Sequence, residues 1–146
     1  MEHEITHAIF AIATGHRVNK LEAQQGKGFV NYTGPGNWLI TISPYFFPAF
    51  CLALIVPFAL VPSPVSWIGK LIVGAAFGLH VTSTINETHV AQTDLQKVGF
   101  GFAWAFLPTA NLLAVGLVLG FAFQGSDGCL NFIGDVCHRF ITIVRG

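Results

Sequence analysis

The sequence predicts an all-α membrane protein: a bundle of about three full transmembrane helices, an N-terminal helix, a short β-hairpin and a C-terminal amphipathic helix. Three observations carry this. The chain is 53% hydrophobic and only 10% charged, where a soluble domain carries about 25% charge. Three long segments hold one charge between them. The remaining polar residues gather in two connections and a tail. The 146 residues are enough for one domain, so 1–146 is expected to be a single integral membrane unit. Seven acidic and seven basic residues cancel, so nothing points to a nucleic-acid partner and no charge block marks a disordered tail. Three cysteines without CxxC spacing form neither a disulfide framework nor a thiolate metal site. The first residues carry acids and histidines, not the basic patch and apolar core of a cleaved signal peptide.

The first element is a helix through the apolar run Ile5–Thr14, closed by Gly15. Ten residues are too few to cross a bilayer, which needs about 20. The helix is therefore a half-span, an interfacial helix or, as the favoured expectation, the remainder of a longer helix, from a missed start codon or a fragment. At its front stands His3-Glu4-Ile5-Thr6-His7, an H-E-x-x-H sequence. Residues four apart stack one turn above the other, so both imidazoles can reach one cation with Glu4 beside it. Two neutral histidines supply half of a tetrahedral zinc shell, a third protein ligand comes from elsewhere, and the fourth position holds a water. Glu4 is the candidate base for that water.

The stretch from His16 to Gly36 is the most polar in the chain. Val18, Leu21, Phe29, Val30 and Tyr32 flank the turn-prone Gln24-Gln25-Gly26-Lys27-Gly28, which predicts a β-hairpin. Its Gly-Lys-Gly is not a phosphate loop, since no G-x-x-x-x-G-K-[ST] pattern surrounds it. An exposed strand edge beside a metal can hold an extended peptide by strand addition; a plain surface hairpin is the alternative.

Leu39 to Val61 is uncharged and long enough to span, but Pro44, Pro48 and Pro57 predict a kinked or broken helix whose freed carbonyls need other partners. Trp38 and Tyr45 suit an interface. Pro62-Ser63-Pro64 is a turn. A second span, Val65 to Asn86, is interrupted only by Lys70, which can snorkel. In it Gly74, Ala75 and Gly78 permit close helix contact, and His80 lies at membrane depth. The connection Glu87–Lys97 contains Glu87, His89, Gln92 and Asp94. The third span, Gly99 to Gln124, carries Pro108 and Asn111; a buried asparagine must face the bundle and hydrogen-bond there. After a turn at Gly125–Gly128, the tail Cys129–Val144 sets its apolar residues at helical spacing, as an interfacial helix does.

Alternating the spans puts 16–36 and 87–98 on one side, with Arg17, Lys20, Lys27 and Lys97 against Lys70, Arg139 and Arg145 on the other, which leans toward the first side being cytoplasmic. His7 then lies about 12 Å and His80 about 10 Å below that surface, where the loop with Asp94 also opens. Asp94, His80 and His89 are the candidates for the third ligand. Thr93-Asp94 also reads as a helix N-cap, and His80 as a hydrogen-bond donor to Glu4 or to substrate.

With this motif helix followed by Ala8, Gly15, a Gly-rich hairpin and Pro-rich membrane segments, the chain resembles the site-2 protease family of intramembrane zinc metalloproteases, in its small bacterial branch. The resemblance covers roughly residues 1–115. It implies zinc held by His3, His7 and Asp94 of Gln92-Thr93-Asp94-Leu95, with Glu4 activating water, and Asn111 near the scissile carbonyl. The family's usual Asn-Pro-x-x-Asp-Gly arrangement is not present, since Asp94 is followed by Leu95 and Asn111 comes later. The expected function is a zinc-dependent intramembrane endopeptidase in a bacterial cell membrane, multi-pass in the lipid bilayer, acting on membrane-associated proteins. The rival is a catalytically inactive relative that binds clients or serves as a structural subunit. A transporter is disfavoured because the spans show no paired charges and no inverted repeat.

Overall fold

The computed structural model describes residues 1–24, 27–60 and 66–146. Of the turn expected over Gln24–Gly28, residues 25 and 26 fall outside them, as does the turn expected at Pro62-Ser63-Pro64. Among the described residues there are seven α-helices and one two-stranded antiparallel sheet. Two helical stretches, Trp67–Glu87 and Phe100–Gln124, are long and apolar enough to cross a membrane. The pair Trp38–Tyr45 and Ala49–Ala59 makes a third only if counted as one interrupted span. The chain divides into two compact units, residues 1–49 with 79–111 and residues 50–78 with 112–146.

The first unit begins with α1, Glu2–Ala13. The helix starts three residues before the expected boundary, with Glu2 and Glu4 in its first turn, where carboxylates complement the helix dipole. The whole H-E-x-x-H sequence is thereby helical. At the other end Gly15 is left-handed (φ 84°), His16 N–H donates to Ala11 O at 2.8 Å and Gly15 N–H to Ile12 O at 3.0 Å, a Schellman closure. Strands β1, Val18–Gln24, and β2, Lys27–Tyr32, pair antiparallel with Leu21 opposite Val30 and Glu22 opposite Phe29. Helix α2, Trp38–Ile42, is capped by Asn37, whose Oδ1 accepts from Ile40 N–H at 3.0 Å.

A 3-10 turn, Ser43–Tyr45, follows α2, and the span expected over Leu39–Val61 breaks after it. Pro48 brings no N–H to continue the helical ladder. Asn111 supplies a replacement: its Nδ2 donates to Tyr45 O at 3.0 Å and to Leu107 O at 2.9 Å. The bundle-facing role expected of this asparagine is what the structure shows. Around it Ile42, Tyr45, Leu95 and Ala103 form a buried cluster. The rest of the unit comes from the end of α4, Ser66–Glu87, from α5, Thr93–Val98, and from the start of α6, Phe100–Gln124. The connection expected over Glu87–Lys97 thus contains the short helix α5, and the span expected from Gly99 begins as α6 just after that glycine (φ 91°).

The second unit contains α3, Ala49–Ala59, from Phe50 onward, the start of α4, the end of α6 and α7, Ser126–Arg145. Cys51, Ile55, Val73, Val118 and Phe121 are its buried core. The turn expected over Gly125–Gly128 is shorter, since α7 already begins at Ser126. Nor is the close helix contact expected at Gly74, Ala75 and Gly78 found: all three residues are exposed, and a tight approach on this stretch is at Gly69, where an added Cβ would stand 2.6 Å from the Phe58 ring.

Candidate metal centre

Helix α1 sets His3 and His7 one turn apart, with ring centroids 4.8 Å from each other and planes at 77°. Each ring is held by its Nδ1. That of His7 donates to the Ile40 carbonyl at 2.7 Å, and that of His3 pairs with the Glu87 carboxylate at the end of α4. Both Nε2 atoms therefore face the same way. They converge on one oxygen, Asp94 Oδ2, at 3.7 Å from His3 and 3.3 Å from His7. The three prospective ligand atoms lie within 4.8 Å of one another. Zinc bonds of about 2.0–2.2 Å in a tetrahedron put neighbouring ligand atoms about 3.4 Å apart, so small side-chain adjustments suffice to close the shell. A histidine held through one nitrogen by a carboxylate or a carbonyl presents the other in a fixed direction and tautomer.

Asp94 sits in the first turn of α5. It does not cap the helix: Gln92 occupies that position, without a side-chain hydrogen bond, and the Asp94 carboxylate points to the two imidazoles and, at 3.5 Å, to Lys97. The other two candidates for a third ligand lie elsewhere. His80 is buried, and its Nδ1 stands 3.6 Å from the Glu2 carboxylate, not from Glu4. His89 is exposed in the connection after α4. Among the described residues, His3, His7 and Asp94 are the set with metal-binding spacing.

The charges of the cluster reinforce one another. Burial opposes an ionised Asp94, but hydrogen bonds from His3 and His7 outweigh it and hold the carboxyl well below the usual range. Burial likewise opposes a charged His3, yet hydrogen bonds to Asp94 and Glu87 push its pKa up to about 9. Protons here stand where a cation can stand, and a bound metal has to displace them.

Glu4 opens into a polar cavity of about 270 Å³ that His7 and Asp94 also line, walled by Gly28 and Val30 of β2 and by Thr41 of α2. A Cβ at position 28 would fall 2.6 Å from Glu4 Cδ, so any other residue there would displace the Glu4 side chain. Gly28 of the hairpin, unexplained by any phosphate-binding pattern, thus makes room for Glu4.

Two neighbours of the site were not singled out from the sequence. Tyr45, expected at an interface beside Trp38, is fully buried, with its ring set edge-on to His3 at 5.3 Å. Its hydroxyl has no hydrogen-bond partner among the described residues. Glu87 read as the start of a polar connection. The signal for it lies in the spacing of His80, Ser83, Thr84, Glu87 and Thr88, a polar stripe at helical period on an apolar helix. Asn111, with its amide committed to two backbone carbonyls, holds the chain beside the site and does not join the His3, His7, Asp94 group.

Searches of curated proteins and of solved structures found no match. The family described as Peptidase M50B-like, by contrast, matches residues 1–133, nearly the whole chain and every residue of the cluster. The motif helix, the later aspartate and this match agree, and the chain belongs to the Peptidase M50B-like family, a site-2 protease family.

Proposed function

We infer that the chain is a zinc-dependent intramembrane endopeptidase that hydrolyses peptide bonds of membrane-associated proteins. The observation that carries this is the convergence of His3 Nε2, His7 Nε2 and Asp94 Oδ2 at the wall of a cavity that also receives Glu4. Zinc, when bound by these three residues, supplies a Lewis acid that acidifies water and polarises a carbonyl oxygen. Glu4 takes the proton of the attacking water and returns it to the departing amine, the general-base and general-acid halves of hydrolysis. Glu87 and the Ile40 carbonyl keep the two imidazoles aimed.

The polar cavity is where water reaches this chemistry. Strand β2 lines it through Gly28, Phe29, Val30 and Tyr32, and β2 pairs with β1 along one edge. An extended peptide laid along β2 would lie over Glu4 and His7. A transmembrane substrate has to unwind to reach it, because its carbonyls are hydrogen-bonded within its own helix. In this reading the protein is multi-pass, resident in a bacterial cell membrane, and its partners are lipid and membrane-protein substrates.

The test is Glu4→Gln in the full chain, reconstituted in lipid. Cleavage of a membrane-protein substrate is expected to stop while one zinc per chain remains. A variant that still cuts would remove Glu4 from the mechanism, and a wild-type chain that binds no zinc at neutral pH without chelator would remove the peptidase reading.

A further inference from the structure

Helix α7 has four faces, and the chain itself uses one. Gly128 packs backbone to backbone against Gly120 of α6, the Phe132 ring covers Gly116, and Cys129 Sγ donates to Leu117 O at 3.5 Å. About a quarter turn away stand Ile133, Phe140 and Val144, all exposed and all apolar. Opposite these, Asn131, Asp135, His138 and Thr142 make a polar face. The helix thus has the section of one lying in a bilayer surface, lipid beneath and water above.

The fourth face, across the helix from α6, carries Asp127, Leu130, Gly134, Cys137, Ile141 and Arg145, all exposed, at the three- and four-residue steps that align on one side of a helix. Neither lipid nor water accounts for this row. Gly134 costs a helix interior about 1 kcal/mol relative to alanine. Unlike Gly116, Gly120 and Gly128, it answers no packing within the chain: nothing among the described residues lies within 4 Å of a Cβ placed there. A glycine in such a place lets another backbone come close. The charges stand at the two ends, an acid in the first turn and a base in the last. Each complements the helix dipole, but neither has an ion-pair partner among the described residues.

The row is complementary to itself when reversed. A two-fold axis passing between Asp135 and Val136 sets Leu130 opposite Ile141 of a second copy and Gly134 opposite its Cys137. Asp127 then falls level with Val144 of that copy, beside its Arg145. The charged ends are paired and the helix dipoles run in opposite directions, whereas a parallel pair sets acid against acid and base against base. Lipid tails and uncharged helices answer neither charge. The axis is perpendicular to α7, and so lies along the membrane normal when the helix lies in the surface, a symmetry that two copies inserted the same way can share.

We propose that α7 is a homodimer contact, in which two chains in one membrane pair their α7 helices antiparallel through Leu130, Gly134, Cys137 and Ile141, with Asp127 of each beside Arg145 of the other. The pairing touches no residue of the metal cluster and does not depend on the peptidase reading.

The experiment uses the full chain in lipid vesicles, treated with a thiol oxidant. Wild-type protein should form a disulfide-linked dimer joined at Cys137, which is exposed where Cys51 is buried. In a Cys137→Ser background, Leu130→Cys chains mixed with Ile141→Cys chains should link to each other, and Leu130→Cys chains alone should not link. Self-linking of Leu130→Cys overturns the antiparallel register and the proposal with it.

A second arm reads energy transfer between differently labelled copies against the protein-to-lipid ratio. Gly134→Leu, which meets open space in the single chain, should raise the ratio at half-association by about tenfold or more, the effect of overpacking a close contact, with circular dichroism unchanged. Asp127→Arg and Arg145→Asp, each of which brings like charges together, should each weaken association by about tenfold, and the double swap should restore it. Both charges of the double swap oppose the helix dipole, so recovery comes from the pair and not from the helix. Energy transfer at the level of random collision for wild-type protein at every ratio leaves this face to lipid and overturns the proposal. So does association that Gly134→Leu and both charge swaps leave unchanged.

Discussion

The carboxylate of Glu87 holds His3 by its Nδ1, and the Nε2 of the same ring faces Asp94. Without that partner the ring loses its fixed tautomer and is free to turn. Glu87→Ala is therefore expected to weaken zinc binding by about 10–100-fold, the usual cost of losing an outer partner of a metal-bound histidine. Glu87→Gln, which keeps an acceptor but not the charge, should fall between that variant and the wild type. Competition with a chelator of known affinity measures both, and equal affinity in Glu87→Ala would deny the residue this role.

Asp94 and His80 were rivals as the third ligand, and their surroundings now separate them. Asp94 Oδ2 is within 3.7 Å of both Nε2 atoms, whereas His80 Nδ1 lies against Glu2. Asp94→Ala should leave purified protein with less than about a tenth of the wild-type zinc, since removing one of three protein ligands opens the shell. His80→Ala should keep one zinc per chain. Metal analysis of the two variants side by side decides the matter, and the reverse pattern would transfer the ligand role to His80.

Gly28 offers a way to disturb Glu4, the proposed base, without touching His3, His7 or Asp94. A methyl group at this position meets the Glu4 side chain, and the carboxylate must move aside. Displacing a catalytic group by about 1 Å costs on the order of 100-fold. Gly28→Ala is expected to lower kcat by about that factor with zinc content and KM little changed. A variant with wild-type kcat would mean that Glu4 does not work from beside β2.

Most of the fold, and the core of the site, could be read from the chain because both rest on local patterns. The H-E-x-x-H spacing needs only helical geometry, and the spans need only length and apolarity. Ala8 and Gly15 follow the motif as a helix and its stop require. Where the reading ran out, the missing information was long-range. Nothing near Tyr45 in sequence says that its ring will face His3, 42 positions earlier, because an aromatic among prolines suits a membrane interface equally well. Glu87 looked like a loop residue for a similar reason: helix α4 runs one residue past Asn86, and only the position of α1 turns that last carboxylate into a partner. Asp94 lay among three candidates until α5 formed as its own short helix and aimed it.

Asn111 drew two expectations, a hydrogen-bonded place facing the bundle and a contact near the substrate. The family resemblance set it near the scissile carbonyl, but its Nδ2 donates to Tyr45 O and Leu107 O, and the first of these replaces a helical hydrogen bond lost at the break before Pro48. A carbonyl left without a donor in a buried site costs about 1–3 kcal/mol. Asn111→Ala should therefore lower the unfolding free energy by about that amount, read from denaturation in lipid or detergent, with zinc per folded chain unchanged because the metal cluster is not touched. Asn111→Asp removes the same donor and adds a charge in a poorly hydrated place, so its loss should be larger. If instead both variants were as stable as the wild type while kcat fell by about 100-fold or more, as it does when an oxyanion donor is lost, the amide would have to leave the Tyr45 carbonyl during the reaction, and the break would need another means of support.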